Sequence, residues 1–220
     1  ELGSYVALYE INMDKNDAEH ISIPITDKLT KRWGITADQL YQDTIKVQAA
    51  WNQPLLADLL EMGTYLNGGT RPDNLLSADK IDDTGLYVLT NYKLYNGAAM
   101  IAHDEMAQKI GNLLQMDYYI LPSTVHELLV YPDNGVISIT QLQEMVKSVN
   151  ATDVLPKDRL SDKVLFYNQQ ERRLELATER EEYFEDKTED TQEKKELAEG
   201  KDKSESEKKE DKSLKFSIRL

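Results

Sequence analysis

Hydrophobic and polar positions follow two different spacings along this chain, one typical of β-strands and the other of helices. In seven short stretches the apolar residues alternate with polar ones or run together, with many Val, Ile, Leu and Tyr, which is typical of β-strands. The predicted strands are SYVALYEIN (4–12), HISIPI (20–25), LYVLTN (86–91), DYYIL (117–121), HELLVY (126–131), KVLFYN (163–168) and RRLELA (172–177). The last two flank Gln169–Glu171, which predicts a hairpin.

Elsewhere the apolar residues recur every three to four positions, a spacing that places them on one face of a helix. The predicted helices span residues 26–34, 36–51, 54–62, 96–114 and 138–149. Thr36 with Gln39 and Ser138 with Gln141 have the spacing of capping boxes, and they mark two helix starts. Gly63 is expected to end the third of these helices, because glycine is favoured just past a helix end.

The order of the elements indicates the fold class. Strands and helices do not follow the regular β-α-β order of a doubly wound sheet, so the sequence predicts an α+β fold. We expect a mixed, mostly antiparallel sheet packed with four or five helices. Residues 63–85 are rich in Gly, Asn and Asp and are predicted to form a long surface loop. The globular domain is predicted to cover residues 1–177.

The residues that follow, 178–220, differ from the domain in composition. They contain 15 Asp/Glu and 11 Lys/Arg with few apolar residues, which predicts a charged tail that is disordered or partly helical. SLKFSIRL (213–220) breaks this pattern, because its apolar residues alternate with polar ones. It is either a short motif that adds a strand to a partner's sheet or the cut end of a longer segment, and we favour the second interpretation.

Net charge limits the classes of partner. The chain carries a formal charge of −14, of which residues 1–177 contribute −10. A surface of this sign repels phosphate backbones and argues against nucleic acid as a partner. No apolar run approaches the ~18 residues of a membrane span, and no signal peptide is visible. We therefore expect a cytoplasmic protein with a protein partner and no membrane association.

Neither a cofactor nor a metal is expected. The chain has no cysteine, which excludes disulfides, thiolate metal sites and cysteine nucleophiles, and which is compatible with a reducing compartment. The sequence contains neither GxxxxGK[ST] nor GxGxxG, so no phosphate-binding loop is indicated. His20, His103 and His126 lack metal-ligand spacing, and His103 would join a metal only if the fold brought carboxylates to it.

Candidate chemistry is concentrated in YYILPSTVHELLVYPDNG (118–135), where polar residues lie between two apolar runs. By residue type, Ser123, His126 and Glu127 are the candidates for acyl transfer, although S-x-x-H-E is not the spacing of a nucleophile elbow. The alternative is structural. Ser and Thr hydroxyls bond to backbone groups in turns, and Glu127 and His126 can satisfy polar groups at the sheet margin. We favour the structural interpretation.

Several of these stretches together resemble one known family. They are YVLTN (87–91), NGAAMI (96–101), YYILPSTVHELLVYPD (118–133) and LQEMVKSVNATDVLPKDRLSD (142–162). The chain resembles an uncharacterised bacterial family, domain of unknown function 5688, over residues 1–177. Thr124 stands where that family usually has a second serine. Members usually carry a further segment before the first strand, so the resemblance is to the C-terminal portion.

The resemblance implies organisation and no activity, because the family has no assigned reaction, cofactor or partner. It is typical of Gram-positive gut anaerobes and their mobile elements. We expect a non-enzymatic binding or accessory role in a bacterial cytoplasm, with a link to a mobile element. The alternative is a hydrolase-like enzyme with a site near Ser123, His126 and Glu127. A nucleic-acid accessory is a third hypothesis, against which the net charge argues.

Overall fold

A six-stranded antiparallel sheet organises the computed structural model, which describes residues 6–13, 21–103 and 105–178. In chain order the strands are β1 (Glu10–Asn12), β2 (Ser22–Pro24), β3 (Pro54–Asp58), β4 (Tyr87–Asn91), β5 (Tyr118–Thr124), β6 (Glu127–Pro132), β7 (Leu165–Asn168) and β8 (Arg173–Leu176). The large sheet has the order β3-β4-β6-β5-β7-β8, and every pair in it is antiparallel. Strands β1 and β2 form a separate antiparallel hairpin.

Five α-helices and two 3-10 helices complete the described part of the fold. The α-helices are α1 (Asp27–Trp33), α2 (Ala37–Trp51), α3 (Leu59–Leu66), α4 (Met106–Leu114) and α5 (Ile139–Thr152), and the 3-10 helices are Leu75–Ser77 and Gly97–Ala102. Both predicted helix starts have a side-chain cap: Thr36 accepts from the Gln39 amide, whereas Ser138 with Gln141 forms the full capping box. The predicted α+β class with a mostly antiparallel sheet is confirmed.

The large sheet is covered on both faces. Alternate residues of each strand point to opposite faces, so Leu128 and Val130 of β6 join a cluster with α4, whereas Leu129 packs on the other side. The first cluster also includes Leu89, Met100, Ile110, Tyr118 and Tyr167. On the second face, α5 packs over β5 and β7, and α3 packs over β3 and β4. Residues 128–130 therefore alternate between the two faces of the sheet.

The predicted helix over 54–62 is wrong. Pro54–Asp58 is a strand, and its middle residues are buried on both faces of the sheet. The helix begins after it, where the Asp58 carboxylate accepts hydrogen bonds from the amides of Leu60 and Glu61. Gly63 lies inside α3 and does not end it. A short apolar run does not distinguish a buried strand from a helix by periodicity alone, which explains the error.

The single helix predicted over 96–114 is divided. A 3-10 helix ends at Ala102, and α4 starts at Met106. Glu105 between them has a left-handed backbone with φ of 65°, which interrupts the helical path. Asp104 lies outside the described residues. The loop predicted over 63–85 begins later than expected, because α3 continues to Leu66.

The described residues all belong to one compact unit that ends at Thr178. The charged tail over 178–220 and the SLKFSIRL segment lie outside the described residues, apart from Thr178 itself. The domain boundary after residue 177 and the disorder of the tail stay predictions. Of the strand predicted over 4–12, the structure describes pairing for Glu10–Asn12.

Candidate functional site

The candidate residues lie at the tight turn between β5 and β6. Val125 and His126 form the turn itself. The strand predicted to end at Leu121 continues to Thr124, so Pro122 lies within β5 opposite Leu128. The Thr124 hydroxyl accepts a hydrogen bond from the His126 amide at 3.0 Å. This is the local side-chain-to-backbone bond that hydroxyl residues make in turns.

Ser123 and Glu127 pair across the base of this turn. The Ser123 hydroxyl donates to Oε1 of Glu127 at 3.2 Å. Both residues are half-buried, and they lie where β5 and β6 shift register between Pro122 and Thr124. Glu127 pairs in the ladder with Thr124, and the bulge brings Ser123 beside the same glutamate, whose carboxylate accepts the hydrogen bond from its hydroxyl.

The His126 ring accepts a hydrogen bond at one nitrogen and faces a carboxylate with the other. Nδ1 accepts a hydrogen bond from the backbone N–H of Asn96 at 3.1 Å, so this nitrogen carries no proton and the ring proton is on Nε2. Nε2 faces Oδ1 of Asp158 at 3.6 Å, which is longer than a hydrogen bond. The Tyr95 ring lies beside the imidazole, with the two centroids 5.2 Å apart.

The backbone of the same turn ties together three other segments. The His126 carbonyl accepts from the buried Thr90 hydroxyl at 2.8 Å. The Val125 carbonyl accepts from the Ala98 amide, and the Val125 amide donates to the Asp158 carbonyl. Strand β4, the 3-10 helix that follows it and the loop before β7 therefore meet at one turn.

Thr90 and Asn91, two buried polar residues of β4, contribute to this junction. Asn91 has no exposed surface, and its side chain bonds to the Tyr95 carbonyl and to the amides of Lys93 and Tyr95, which fixes the loop that carries Asn96. Gly97 lies against Thr90 and the His126 carbonyl so closely that a Cβ atom there would overlap both. A glycine is required where two backbones approach this closely.

The three predicted residues lie at one turn, but the serine and the histidine contact different partners. Ser123 pairs with Glu127, and His126 pairs with Asn96 and Asp158. Among the described hydrogen bonds, none joins Ser123 to His126. A nucleophilic serine needs a base within hydrogen-bond reach. The side chains of His126 and Asp158 are 31% and 21% exposed, so solvent reaches this pair. The catalytic assignment stays a prediction.

Sequence reasoning missed Asn96, Asp158 and Thr90, which complete the environment of His126. Asn96 contributes a backbone amide, so its side-chain type gives no signal. Asp158 is separated from His126 in the chain by β6 and α5. Neither contact has a spacing motif that a single sequence would show.

The other described histidine outside this turn makes a structural contact. Nε2 of His103 is 2.7 Å from Oε1 of Gln48 on α2, and the Tyr41 hydroxyl of the same helix donates to the Ala102 carbonyl. Within residues 6–13, 21–103 and 105–178, no three His, Asp or Glu side chains are placed to hold a metal ion.

A surface depression and three tyrosines with raised pKa values lie apart from His126. An open depression of about 680 Å³ is lined by Leu59, Leu60, Gly63, Thr64 and 67–69, and it shares no residue with the turn. The shifted tyrosine pKa values belong to the core: burial raises the pKa of Tyr118 well above its ordinary value, and burial also raises the pKa of Tyr87 and Tyr167. Neither feature adds a reactive group to the turn.

The comparisons with known proteins give one match. A model described as "Family of unknown function (DUF5688)" matches residues 6–169. No curated protein and no solved structure matches the chain. The matched range includes the hairpin, the turn at His126 and Asp158.

Proposed function

Since the chain belongs to the family of unknown function DUF5688, we propose from its own geometry that it is a non-enzymatic binding domain for a protein partner. One observation carries the proposal. Polar atoms of the candidate residues already have hydrogen-bond partners: Nδ1 of His126 accepts from the Asn96 amide, and the Ser123 hydroxyl donates to Glu127. A histidine that already accepts a backbone hydrogen bond has no lone pair for a serine proton.

The same contacts have a structural use. The turn connects β4, the 3-10 helix Gly97–Ala102 and the loop before β7 through His126, Val125 and Asp158. Buried or half-buried polar groups must find partners, because each unsatisfied group costs about 1–3 kcal/mol. The cluster therefore serves to hold the scaffold, and the binding surface lies elsewhere on the domain.

A specific observation keeps the hydrolase-like enzyme as second candidate. His126 and Asp158 form a histidine and carboxylate pair with side chains partly open to solvent, and the Ser123 hydroxyl lies at the same strand end. A serine hydrolase requires all three in line. If Ser123 turned from Glu127 toward the imidazole and Asn96 released Nδ1, the pair would gain its nucleophile.

A serine-directed fluorophosphonate probe separates the two candidates. The folded full chain would be compared with Ser123→Ala, and with Ser138→Ala as a matched control at an exposed helix cap. The binding proposal predicts no labelling above the Ser123→Ala background. Labelling of the wild type that disappears in Ser123→Ala and persists in Ser138→Ala would establish a reactive serine and overturn the proposal.

We also place the protein in the bacterial cytoplasm and link it to a mobile element. The absence of cysteine is compatible with a reducing compartment. The acidic surface favours a protein over a nucleic acid as partner. The link to mobile elements is supported by the family resemblance alone. None of the helices in the described ranges has an apolar run long enough to cross a bilayer.

A further inference from the structure

The exposed side chain of Arg71 lies against two tyrosine rings. Its Cζ atom is 5.2 Å from the centroid of the Tyr65 ring and 5.3 Å from that of the Tyr92 ring. Nε and Nη2 both donate to the Tyr65 hydroxyl, at 3.3 and 2.8 Å. An exposed arginine ordinarily samples many rotamers, because its long side chain carries large conformational entropy. Here the ring contacts and the two hydrogen bonds fix the plane of the guanidinium before any ligand binds.

Both tyrosines are anchored on the large sheet. Tyr65 belongs to α3, Tyr92 directly follows β4, and both are half-buried. The Tyr92 amide also donates to the Gln53 carbonyl. The two tyrosine side chains pack on one face of the sheet against four buried residues, Leu55, Ala57, Met62 and Val88. The sheet therefore sets the position of the guanidinium, although Arg71 itself lies on a loop.

One edge of the guanidinium has no partner among the described residues. An arginine has five N–H donors in a fixed plane, and Tyr65 takes the edge formed by Nε and Nη2. The edge formed by Nη1 and Nη2 presents two parallel N–H groups, the geometry that binds both oxygens of a carboxylate. Asp58, Glu61 and Asp73 lie in the same stretch of sequence, but within the described structure none of them forms an ion pair with Arg71.

The open depression described above is formed by the same segment as this arginine. Leu60, which lines the depression, is 79% exposed. Gly69 lines it too and is two residues before Arg71, so the Cα atoms of these two residues are at most about 7 Å apart. The Gly69 amide donates to the Thr64 carbonyl, which folds the loop back along α3. Exposed apolar surface therefore occurs beside a fixed cation.

We propose that Arg71 and this depression bind a segment of a partner protein in which an Asp or Glu lies within a few residues of an apolar one. The carboxylate binds the edge formed by Nη1 and Nη2, and the apolar side chain covers Leu60. Arginine and tyrosine are over-represented among the residues that dominate the energetics of protein interfaces. This inference rests on the proposed binding function and names the chemistry of the partner.

Charge favours a carboxylate over the other anions. Arg71 is the only basic residue in the stretch 52–79, which contains four acidic residues. Phosphate groups are recognised by clusters of arginines, and a doubly charged phosphate is repelled by acidic neighbours more strongly than a carboxylate is. A second copy of the chain is disfavoured, because each copy carries a net charge of −14. One carboxylate brings one negative charge, which the guanidinium neutralises.

A displayed library of random peptides tests the proposal on the full chain. Peptides are selected on the wild type, and the affinities of the amidated winners are measured by fluorescence anisotropy. Arg71→Gln removes the charge, and Arg71→Lys keeps the charge but loses the planar edge. Tyr65→Phe keeps the ring and loses the hydroxyl that orients the guanidinium. Arg32→Gln is the matched control, because Arg32 is an exposed arginine in the last turn of α1.

The expected winners contain an Asp or Glu close to an apolar residue. Their affinity should fall at least about tenfold in Arg71→Gln and Arg71→Lys, about threefold in Tyr65→Phe, and less than about twofold in Arg32→Gln. Replacing the acidic residue of a winning peptide by its amide should weaken binding to the wild type similarly, with little further effect on binding to Arg71→Gln. Urea unfolding shows that each variant is folded, and an arginine that only supports the loop would not produce this coupling.

Several outcomes would overturn the proposal. They are an absence of winners, winners without an acidic residue, equal binding to Arg71→Gln and the wild type, and equal losses in Arg71→Gln and Arg32→Gln. Inorganic phosphate that displaces the peptides better than acetate does at matched ionic strength would assign the site to phosphate. Sedimentation that shows a dimer of the wild type and a monomer of Arg71→Gln would assign it to a second copy.

The test of this site is independent of the test for a reactive serine. Labelling at Ser123 would overturn the non-enzymatic function while leaving the peptide result standing. Winners that bind equally well to Arg71→Gln would overturn this site while leaving the binding function standing. The two proposals therefore fail separately.

Discussion

Nδ1 of His126 accepts the backbone N–H of Asn96 at 3.1 Å, although the two residues are 30 positions apart in the chain. Asn96 has a left-handed backbone with φ of 52°, a conformation that asparagine tolerates better than most residues. The bond satisfies an amide that points into the junction between β4 and the β5–β6 turn. It makes the imidazole a structural connector between segments that do not adjoin in sequence.

We predict that His126→Ala lowers the free energy of unfolding by about 1–3 kcal/mol, because the Asn96 amide loses its acceptor in a half-buried site. His126→Asn should lose less, since the Asn Oδ1 atom lies close to the position of Nδ1 and can accept the same bond. Urea unfolding of both variants measures the difference. Equal losses for Ala and Asn would show that the Asn96 bond does not contribute.

Two glycines should respond to alanine with opposite signs. A Cβ atom at Gly97 would overlap Thr90 and the His126 carbonyl, and overpacking of this kind costs about 1–3 kcal/mol. Gly63 lies inside α3 with no atom within 4 Å of its Cβ position, so Gly63→Ala should stabilise the protein by about 0.5–1 kcal/mol. Thermal unfolding of the two variants provides the comparison, and a Gly97→Ala variant as stable as the wild type would contradict the contact.

The fold was predictable wherever local signals agreed with tertiary packing. The capping box at Ser138 and Gln141 indicated the start of α5, and the run rich in Leu, Val and Tyr over 126–131 indicated β6. Pro54–Asp58 was misassigned because burial on both faces of the sheet leaves a strand with no alternation to read. Tertiary context decided that segment.

The sequence indicated which residues lie in the candidate site, but not which distant residues contact them. Ser123, His126 and Glu127 do lie in one turn, as their proximity in sequence requires. Their partners could not be read from sequence, because Asn96 contributes its backbone and Asp158 arrives from a loop beyond α5. The tertiary fold determines such contacts, and no local pattern in the sequence indicates them.

Asn74 is expected to protect the outer edge of β3. Its Oδ1 accepts from the Leu56 amide, and its Nδ2 donates to the Pro54 carbonyl, so one side chain occupies two groups of an edge strand. Asn74→Ala should therefore speed hydrogen exchange at Leu56 and lower the free energy of unfolding by about 1–2 kcal/mol. Asn74→Asp keeps the acceptor and serves as the matched variant, in which Leu56 should stay slower than in Asn74→Ala. Unchanged exchange at Leu56 in Asn74→Ala would refute this role.

Stability should fall at alkaline pH because of the buried tyrosines. Burial, and then the nearby Tyr167, raises the pKa of Tyr118 well above its ordinary value of 10.0. Above about pH 10 the unfolded chain releases a proton that the folded chain retains, so the free energy of unfolding decreases as pH rises, by up to about 1.4 kcal/mol per pH unit for one such group. Below that pH the contribution is fully present.

Tyr118→Phe loses the bond from the hydroxyl to the Ala107 carbonyl and should be less stable than the wild type near neutral pH. Its disadvantage should then shrink between about pH 9 and pH 11, because phenylalanine does not titrate. Urea midpoints across this range test the idea, and a constant difference between the two proteins would rule out Tyr118 as a source of the alkaline loss.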